Sequence, residues 1–571
     1  MNYCEFAEFL LKEKKLQSID FYLADFAVRM MKEERNSPLF LLTALISGAC
    51  SLGREICLPA EKIASPEALR GYLALAEDFS LPVTGDWLPE TLPEFLVFQN
   101  GNYYLQGNFQ LETDIRNFVL SRISQDEKNG EFDPSLTSLV LTGGQVETVK
   151  KSQNNPFLII SGGPGTGKTT ILATILALRE EAPERICLAA PTGKAQARML
   201  EALREELEKL NIPQERKNAL GNVRCSTVHR LLEYSEKSGF RRNSENRLEC
   251  DLLVVDECSM LSFDLLGQLF RALHKEAAVI LLGDHAQLAS VQPGQVFADL
   301  CAMLKEYPGH LAKLSESKRF PPDKGIARLR DCLEPHLLSP GAEAWNCLQA
   351  NHEQLAYKPL PKIAELEKFL AENLNGWRCD GRPFFEAETL DEAWERFEAM
   401  RILTPSAQGD YGTGALNEHI CNIFDLKDDS PGLPLLQRQN DYNFNIFNGD
   451  IGLTWYADEN RQPLPRSQAD RKSKRLVFFS RGNGEWYGIE RELLSNVETA
   501  FAMTVHKAQG SGYGKVLFIL PELGFAEKLL TRELIYTAVT RGKPEAVVVT
   551  TQQVFCAAAE RHTERVSGLL E

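Results

Sequence analysis

The chain has 571 residues, of which 43% are hydrophobic and 25% are charged, and its formal net charge at pH 7 is −16. This length exceeds one ordinary domain, and the composition excludes a disordered, fibrous or membrane-embedded chain. The acidic balance argues against a protein that coats nucleic acid with its whole surface. The acidic balance does not exclude a local DNA-binding groove, because phosphate contacts depend on where Lys and Arg cluster.

The N-terminal part, up to about residue 110, predicts helices and carries no chemical motif. Several apolar residues follow helical spacing, and core packing is the simplest role for them. These residues are Phe6, Phe9, Leu10, Ile19, Tyr22, Leu23 and Phe26. We therefore predict a helical N-terminal domain over residues 1–115 that serves structure or docks a partner.

From residue 157 onward, short buried strands alternate with helices. Strand-like runs occupy 157–161, 186–190, 252–256 and 279–283, and a second alternating block runs from about 401 through 516–520 to 547–550. Such alternation predicts an α/β fold with parallel sheets and helices on both faces. We expect one α/β domain over residues 116–335, with a short insertion at about 230–250. A second would cover 336–571, with a small β insertion at 447–497.

The sequence also favours a reduced, cytoplasmic setting without membrane contact. The longest apolar stretch, residues 39–50, is shorter than the ~20 residues that cross a bilayer. Glu5 and Glu8 lie where a secretory signal would be basic. The 13 cysteines form neither a CxxC pair nor a zinc-type cluster with histidine.

Residues 162–169 read GGPGTGKT and connect a predicted strand to a predicted helix. Glycines let backbone N–H groups surround phosphates, and the helix N-terminus adds a positive dipole end. Lys168 would reach the β- and γ-phosphates, and the Thr169 hydroxyl would hold Mg²⁺. The predicted nucleotide-binding residues are Gly162, Gly163, Pro164, Gly165, Thr166, Gly167, Lys168, Thr169 and Thr170.

Asp256 and Glu257 follow four apolar strand residues. A carboxylate at the end of a neighbouring strand can reach the Mg²⁺ through water, so Asp256 is a metal candidate beside Thr169. Glu257 is placed to polarise the attacking water as general base. These residues predict nucleotide hydrolysis but not what the energy drives, and a P-loop kinase would share Lys168 and Thr169.

Six further short motifs follow along the chain. They are APTGKA at 190–195, TVHRL at 227–231, GDHAQL at 283–288, LSESKRF at 314–320, TVHKAQGS at 504–511 and YTAVTR at 536–541. The set resembles the motifs of superfamily 1 helicases, which implies two tandem RecA-like domains that use ATP and Mg²⁺ to move along single-stranded DNA. The resemblance implies that Gln145 reads adenine and that Gln287 senses the γ-phosphate. Arg319 and Arg541 would be the cations that the second α/β unit brings to that phosphate.

The resemblance also implies a DNA track. The family holds the phosphodiester backbone through hydroxyl, imidazole and ammonium groups, which makes binding independent of sequence. The matching residues in this chain are Thr192, Thr227, His229, Thr504, His506 and Lys507.

Residues 288–294 read LASVQPG and lack the aromatic residues of the 3′→5′ branch. The chain is therefore similar to the 5′→3′ branch that includes the RecD family, in which an SH3-like barrel is inserted near 447–497. The N-terminal segments 51–59 and 102–105 resemble that family more loosely. The resemblance implies RecB and RecC as partners in double-strand-break repair and recombination, and we find no carboxylate cluster typical of a nuclease. A stand-alone helicase and a non-catalytic assembly subunit remain alternatives. One departure is Gly512, where the family commonly has glutamate.

Overall fold

The computed structural model describes all residues except 85, 124–129, 139, 180, 322–323, 334–339, 351, 442, 471–472, 482–483, 564 and 571, and the side chains of 525 and 526. Across this described part of the chain, each helix is too short or too polar to cross a bilayer. All 13 cysteines are free thiols. The predicted boundary between residues 335 and 336 lies outside the described residues.

The N-terminal part combines helices with a small antiparallel sheet. Its elements are α1 (Tyr3–Lys12), α2 (Ser18–Met31), α3 (Pro38–Ser51), β1 (Cys57–Pro59), α4 (Pro66–Tyr72), β2 (Leu96–Gln99), β3 (Asn102–Leu105) and α5 (Gln106–Leu120). The sheet has the order β1-β3-β2. Asn100 and Gly101, with φ of 49° and 76°, form the two-residue turn between β2 and β3. Asn-Gly is a strong hairpin signal, so the mainly helical prediction overlooked a strand pair that the sequence indicates.

The second predicted helix forms as α2, but three of its large apolar residues face outward. Ile19, Tyr22 and Phe26 expose 61%, 69% and 53% of their surface. The buried face of α2 carries Ala24 and Ala27 instead, and α2 packs against α3. Small side chains let two helices approach closely, and the interaxial distance depends on them. The assignment of these large residues to the core is therefore wrong.

The first α/β part surrounds a six-stranded sheet. Its elements are α6 (Gly143–Asn154), β4 (Phe157–Gly162), α7 (Lys168–Leu178), β5 (Ile186–Ala190), α8 (Gly193–Glu208), α9 (Gln214–Gly221), β6 (Arg224–Thr227), α10 (Val228–Leu231), β7 (Tyr234–Ser235), β8 (Gly239–Phe240), β9 (Leu252–Val255), α11 (Phe263–Arg271), β10 (Ala278–Gly283), α12 (Val296–Met303) and β11 (Leu311–Leu314). Helix α13 (Gly325–Cys332) follows β11 in sequence, but its buried residues Ile326, Ala327 and Leu329 belong to the apolar cluster of the second α/β part. The sheet order is β11-β4-β10-β9-β5-β6, and every pair in it is parallel. The predicted strands are therefore confirmed, and the short hairpin β7–β8 lies where the first insertion is expected.

Both faces of this sheet are buried, because side chains alternate along each strand. In β4, Phe157 and Ile159 join one apolar cluster, whereas Leu158 and Ile160 join the cluster on the opposite face. Helix α5 contributes to the first cluster, with the Phe118 ring stacked 4.0 Å from that of Phe270 in α11. Residue 115, the predicted end of the N-terminal domain, thus lies inside a helix that packs on the first sheet.

The second α/β part surrounds a five-stranded parallel sheet. Its elements are α14 (Pro340–Gln349), β12 (Leu355–Pro359), α15 (Leu366–Asn373), β13 (Arg378–Cys379), β14 (Arg382–Pro383), α16 (Leu390–Glu398), β15 (Met400–Thr404), α17 (Thr413–Phe424), β16 (Pro434–Gln437), β17 (Ile451–Ala457), β18 (Lys474–Ser480), β19 (Trp486–Ile489), β20 (Val497–Thr499), β21 (Ala502–Thr504), β22 (Tyr513–Ile519), α18 (Arg532–Val539), β23 (Gly542–Thr550) and α19 (Gln552–Glu560). The parallel sheet has the order β12-β23-β22-β15-β21.

A separate antiparallel sheet is inserted between α17 and β21. Its order is β19-β18-β17-β16-β20. The sheet is wider than the predicted segment 447–497, because β16 begins at Pro434 and β20 ends at Thr499. Trp455 and Phe478 are fully buried and fill its core.

Candidate functional site

The phosphate loop lies between β4 and α7, at the carboxyl edge of the first sheet. Gly165 and Gly167 have φ of +81° and +82°. A Cβ at Gly165 would lie 2.3 Å from the Cβ of Arg319, and one at Gly167 would lie 2.5 Å from Nε2 of Gln145. Both positions thus require glycine for conformation and for space. The loop is closely packed between two residues that the sequence analysis assigned to the same site.

Lys168 begins α7, and Thr169 and Thr170 continue its first turn. The Lys168 ammonium donates hydrogen bonds to the carbonyl oxygens of Gly162 (2.5 Å) and Gly163 (3.3 Å). The Thr166 hydroxyl donates to the Gly163 carbonyl at 2.9 Å. The lysine therefore folds back over the loop, which places its charge where a bound phosphate chain would lie.

Asp256 and Glu257 follow β9, which is separated from β4 by β10 alone. Burial raises the pKa of Asp256 to about 6, the neighbouring Glu257 adds to the rise, and the charge of Lys168 opposes it. Glu257 has a φ of +54°, an uncommon conformation for a residue with a side chain. Its backbone N–H donates to Oδ1 of Asp256 at 2.8 Å. The carboxylates thus lie beside the phosphate loop, as predicted.

The residues expected to hold Mg²⁺ fit that ion. A hydroxyl and a carboxylate are the oxygen ligands that Mg²⁺ prefers, and they leave room for phosphate oxygens and water. Asp256 is a buried carboxylate whose raised pKa reflects insufficient compensating positive charge. A divalent cation at Asp256 and Thr169 would supply that charge. No group of three or more His, Cys, Asp or Glu residues forms an all-protein metal site in the described part of the chain.

Arg319 lies on the segment that leaves β11, the strand next to β4. The Ser317 hydroxyl donates to the Pro164 carbonyl at 2.8 Å, and the Lys318 N–H donates to the Gly165 carbonyl at 2.9 Å. Burial lowers the pKa of Arg319, the charges of Arg541 and Arg198 lower it further, and Glu257 opposes them. The expectation that the second α/β unit supplies Arg319 is therefore wrong. The segment following the first sheet places Arg319 directly against the phosphate loop.

Arg541 comes from the second α/β part and reaches the first. It is 4% exposed, and its Nη2 donates to Oε1 of Gln287 at 2.7 Å. The other guanidinium nitrogens donate to the carbonyls of Thr537 (3.2 Å) and Ser511 (3.1 Å). Gln287 in turn donates to Asp284 at 3.1 Å. The predicted arginine and the predicted sensor thus form one buried link between the two α/β parts.

Gln145 lies against the phosphate loop and is 2% exposed. Its Nε2 donates to the Thr166 carbonyl at 2.9 Å, and its Oε1 accepts from the Thr142 N–H at 2.9 Å. The Thr142 hydroxyl caps α6 by accepting from the Gln145 N–H, and this reciprocal pair of bonds orients the Gln145 side-chain amide. The position agrees with a contact to nucleotide, but in this arrangement both ends of the amide bond to the protein, so the reading of adenine stays a prediction.

The predicted DNA contacts of the first part lie at the carboxyl ends of two neighbouring strands. Thr192 follows β5 and caps α8, and Thr227 ends β6 and caps α10. The His229 ring lies 5.7 Å from the Tyr234 ring and 6.2 Å from the Phe240 ring. Burial lowers the pKa of His229. His229 thus packs with the β7–β8 hairpin, and a DNA contact by its ring remains untested.

The predicted DNA contacts of the second part follow β21, an edge strand. The Thr504 hydroxyl accepts from the Lys507 N–H at 3.4 Å. Burial lowers the pKa of His506 to about 4, and the charges of Arg54 and Arg565 contribute. The Lys507 ammonium forms an ion pair with Glu498. These groups share one edge, but Lys507 has an acidic partner that any DNA phosphate would have to replace.

Three further interactions between the α/β parts were missed from the sequence. The Tyr536 hydroxyl donates to Oδ2 of Asp284 at 2.7 Å, and Arg198 donates to the Gly510 carbonyl at 2.7 Å. The Thr537 hydroxyl accepts from the Leu288 N–H at 2.9 Å. Tyr536 and Asp284 belong to recognised boxes, but their pairing across 252 positions of sequence left no local signal.

The fold and the site together define a class of protein. A phosphate loop at the carboxyl edge of one parallel sheet lies against Arg319 of the same part, and Arg541, from the part that contains a second parallel sheet, bonds Gln287 of the first. This arrangement is that of a two-domain P-loop ATPase of the helicase type, in which nucleotide chemistry and domain closure share one interface.

Comparisons with known proteins agree with this class. Residues 145–293 match the family model described as AAA domain, and residues 499–549 match the UvrD-like helicase C-terminal domain. RecBCD enzyme subunit RecD of Mycobacterium tuberculosis is 32% identical, covering 86% of this chain and 85% of the relative. RecBCD enzyme subunit RecD of Mycolicibacterium smegmatis is 30% identical, covering 97% of each chain. The ATP-dependent RecD2 DNA helicase of Deinococcus radiodurans is 29% identical, covering 82% of this chain and 58% of the relative.

The identity to two RecD subunits extends over most of both chains, so it includes the N-terminal part as well as both sheets. The chain belongs to the RecD family of superfamily 1 helicases.

Proposed function

We propose that this chain is an ATP-dependent 5′→3′ translocase on single-stranded DNA and a DNA helicase. It acts with RecB and RecC in a helicase–nuclease that processes double-strand breaks for recombination, in the cytoplasm. The observation that carries the motor proposal is the buried hydrogen bond from Arg541 to Gln287, which joins the two α/β parts beside the phosphate loop. Family membership supports the subunit role.

ATP would lie between the loop at Gly162–Thr169 and the two arginines. Lys168 and the loop N–H groups would bind the β- and γ-phosphates, and Mg²⁺ at Thr169 and Asp256 would neutralise phosphate charge. Glu257 would orient the attacking water. Arg319 and Arg541 would stabilise the charge that develops on the transferred group.

The same network supports coupling to DNA. Arg541 donates a hydrogen bond to Gln287. Leu288, which follows Gln287 in sequence, donates its N–H to Thr537 and accepts from Gln509 at its carbonyl, at 2.8 Å. Gln509 lies in the box that contains Thr504, His506 and Lys507. Loss of the γ-phosphate would therefore change the position of one half of the DNA track relative to Thr192 and Thr227, which produces a step.

Three finer assignments belong to this proposal. The antiparallel sheet at residues 434–499 is an SH3-like insertion in the second motor domain. The N-terminal domain ends before α5, and its exposed apolar residues on α2 support docking to a partner, because such patches mark interaction surfaces. The first motor domain then ends between Arg319 and α13, and the second begins with α13 rather than at residue 336, because Ile326 and Leu329 are buried in the apolar cluster of the second part.

The motor proposal predicts ATP hydrolysis that single-stranded DNA stimulates. Lys168→Ala should abolish this activity, and Lys150→Ala in helix α6 is the matched control because its side chain is not assigned to the site. Translocation direction would be measured by displacement of streptavidin from the 3′ or the 5′ end of biotinylated oligonucleotides. Turnover that is independent of DNA would reject the motor and favour a P-loop kinase.

The subunit proposal is tested by co-purification. Affinity-tagged chain expressed from its own genomic locus should retain two large partners with RecB- and RecC-type sequences. Ile19→Asp and Tyr22→Asp should weaken that retention while ATP hydrolysis by the isolated chain persists. A chain that purifies alone and unwinds 5′-tailed duplexes would instead be a stand-alone helicase.

A further inference from the structure

The C-terminal tail, residues 565–569, runs back from the second motor domain onto the first. Its backbone and side chains form hydrogen bonds and apolar contacts with the first α/β part and with the N-terminal part. The Val566 carbonyl accepts from the Ile56 N–H at 2.9 Å, and the Gly568 N–H donates to Glu112 at 2.8 Å. Leu569 is 1% exposed within the apolar cluster of the first sheet. The tail is therefore an integrated part of the first domain.

Arg565 connects this tail to the loop formed by residues 288–294. Its Nη1 donates to three carbonyl oxygens of the loop, those of Ser290 (2.7 Å), Gln292 (2.9 Å) and Gly294 (2.7 Å). The carbonyls of Ser290 and Gly294 are partly buried and need hydrogen-bond donors, and the one guanidinium serves both of them as well as the exposed Gln292 carbonyl. The conformation of the loop thus depends on a residue more than 270 positions away.

The loop end has little freedom to rearrange. Gly294 has a φ of +81°, and a Cβ there would lie 3.1 Å from Phe263 and 3.2 Å from Ile56. The Gly294 N–H donates to the Arg54 carbonyl at 2.8 Å. The first domain, the N-terminal part and the tail therefore hold the end of the loop together.

The start of the loop is held by the second domain instead. Leu288 bonds Thr537 and Gln509, and it directly follows Gln287, which bonds Arg541. The charges of Arg565 and Arg54 also act on the ring of His506, which places the tail beside the predicted DNA track. Loop 288–294 thus connects the predicted ATP sensor Gln287 and the predicted DNA track to the C-terminal tail.

We propose that Arg565 is a positioning residue that fixes the far end of loop 288–294, so that movement at Gln287 is transmitted to the DNA track. This inference rests on the proposed motor function. Without the guanidinium, three carbonyls lose their donor and the loop can change conformation instead of transmitting the movement. The Arg565 side chain bonds loop 288–294 and not the phosphate loop at 162–169.

The test compares Arg565 with Arg561, which follows α19 and precedes the tail, in the full-length chain. Arg565→Gln removes the donors to the loop. Arg561→Gln is the matched control, because Arg561 also donates to carbonyls, those of Glu527 and Leu530, but only inside the second domain. Steady-state ATP hydrolysis is measured with and without oligothymidylate, together with the KM for ATP and for the oligonucleotide.

Arg565→Gln should lower the stimulation by oligothymidylate about tenfold and raise the KM for the oligonucleotide, since loss of the guanidinium leaves the partly buried carbonyls of Ser290 and Gly294 without their donor. Hydrolysis without DNA and the KM for ATP should stay within about twofold of wild type, and Arg565→Lys should restore part of the stimulation. Normal stimulation in Arg565→Gln, or an equal loss in Arg561→Gln, would overturn the inference. Absence of stimulation in the wild type would reject the proposed function itself.

A second measurement does not depend on the variant folding. Hydrogen exchange in the wild-type chain should show that amides of residues 288–294 and 565–569 open together, as parts of one cooperative unit. Loop amides that exchange at least about a hundredfold faster than tail amides would show that the tail does not hold the loop.

Discussion

The hydrogen bond between Tyr536 and Asp284 offers a direct measure of domain closure. The Tyr536 hydroxyl is the donor, the distance is 2.7 Å, and the tyrosine is 4% exposed. Tyr536→Phe removes the hydroxyl and keeps the ring, so packing inside the second domain is preserved. Asp284 then retains the bond from Gln287 but loses the one from the second domain.

The expected magnitude follows from the type of bond. A hydrogen bond to a charged acceptor contributes about 1.5–3 kcal/mol, and its loss leaves Oδ2 of the buried Asp284 with Gln287 as its remaining side-chain donor. Closure of the two domains should therefore become about 10- to 100-fold less favourable. In the proposed function, Arg541 acts on the phosphates only when the two domains are closed, so kcat/KM for ATP with saturating DNA should fall by a similar factor.

The assay is steady-state ATP hydrolysis with oligothymidylate, and the matched control is Tyr513→Phe. Tyr513 is also buried in the second domain, but its hydroxyl makes only a weak contact with the sulfur of Met503, at 3.5 Å. The control should stay near wild type in rate. A kcat/KM for Tyr536→Phe within about twofold of wild type would refute the reasoning that this bond stabilises the closed state.

Three more predictions concern charges near the site. Glu498→Gln frees the Lys507 ammonium from its ion pair and should strengthen binding of labelled oligothymidylate about threefold at low salt; an unchanged Kd in fluorescence anisotropy would contradict it. Burial raises the pKa of Asp299 from 3.8 to about 6, so its charge opposes folding by up to about 3 kcal/mol above pH 6, and this cost declines as pH falls through 6 and vanishes below 3.8. Asp299→Asn should therefore raise Tm more at pH 8 than at pH 5, and an equal shift at both would count against the raised pKa. Gly512→Glu would place a carboxylate beside the flexible end of Lys543, at the position where the family has a glutamate near the nucleotide. The variant should lower the KM for ATP, and an unchanged KM would reject this role for the carboxylate.

Short-range patterns were sufficient to predict the strand, loop and helix that form the phosphate loop. The segment around Lys168 combines glycines, a lysine and a hydroxyl in an order that only a strand–loop–helix unit uses, and Asp256 follows four apolar residues that alternate between two buried faces. The parallel sheets followed from the same alternation, since strands buried on both faces are continuously apolar. The Asn100–Gly101 hairpin was equally local and was overlooked.

The amino-acid order by itself determined the elements and the chemistry of each box, because backbone preferences, glycine requirements and apolar periodicity act over a few residues. Only the tertiary structure decided which boxes meet. Four features depend on packing between distant segments. They are the bond from Arg541 to Gln287, the position of Arg319 beside the phosphate loop, the outward face of α2 and the hydrogen bonds from Arg565 to loop 288–294. Such pairings arise from shape and charge complementarity across the whole fold, for which no local spacing in the chain carries a signal.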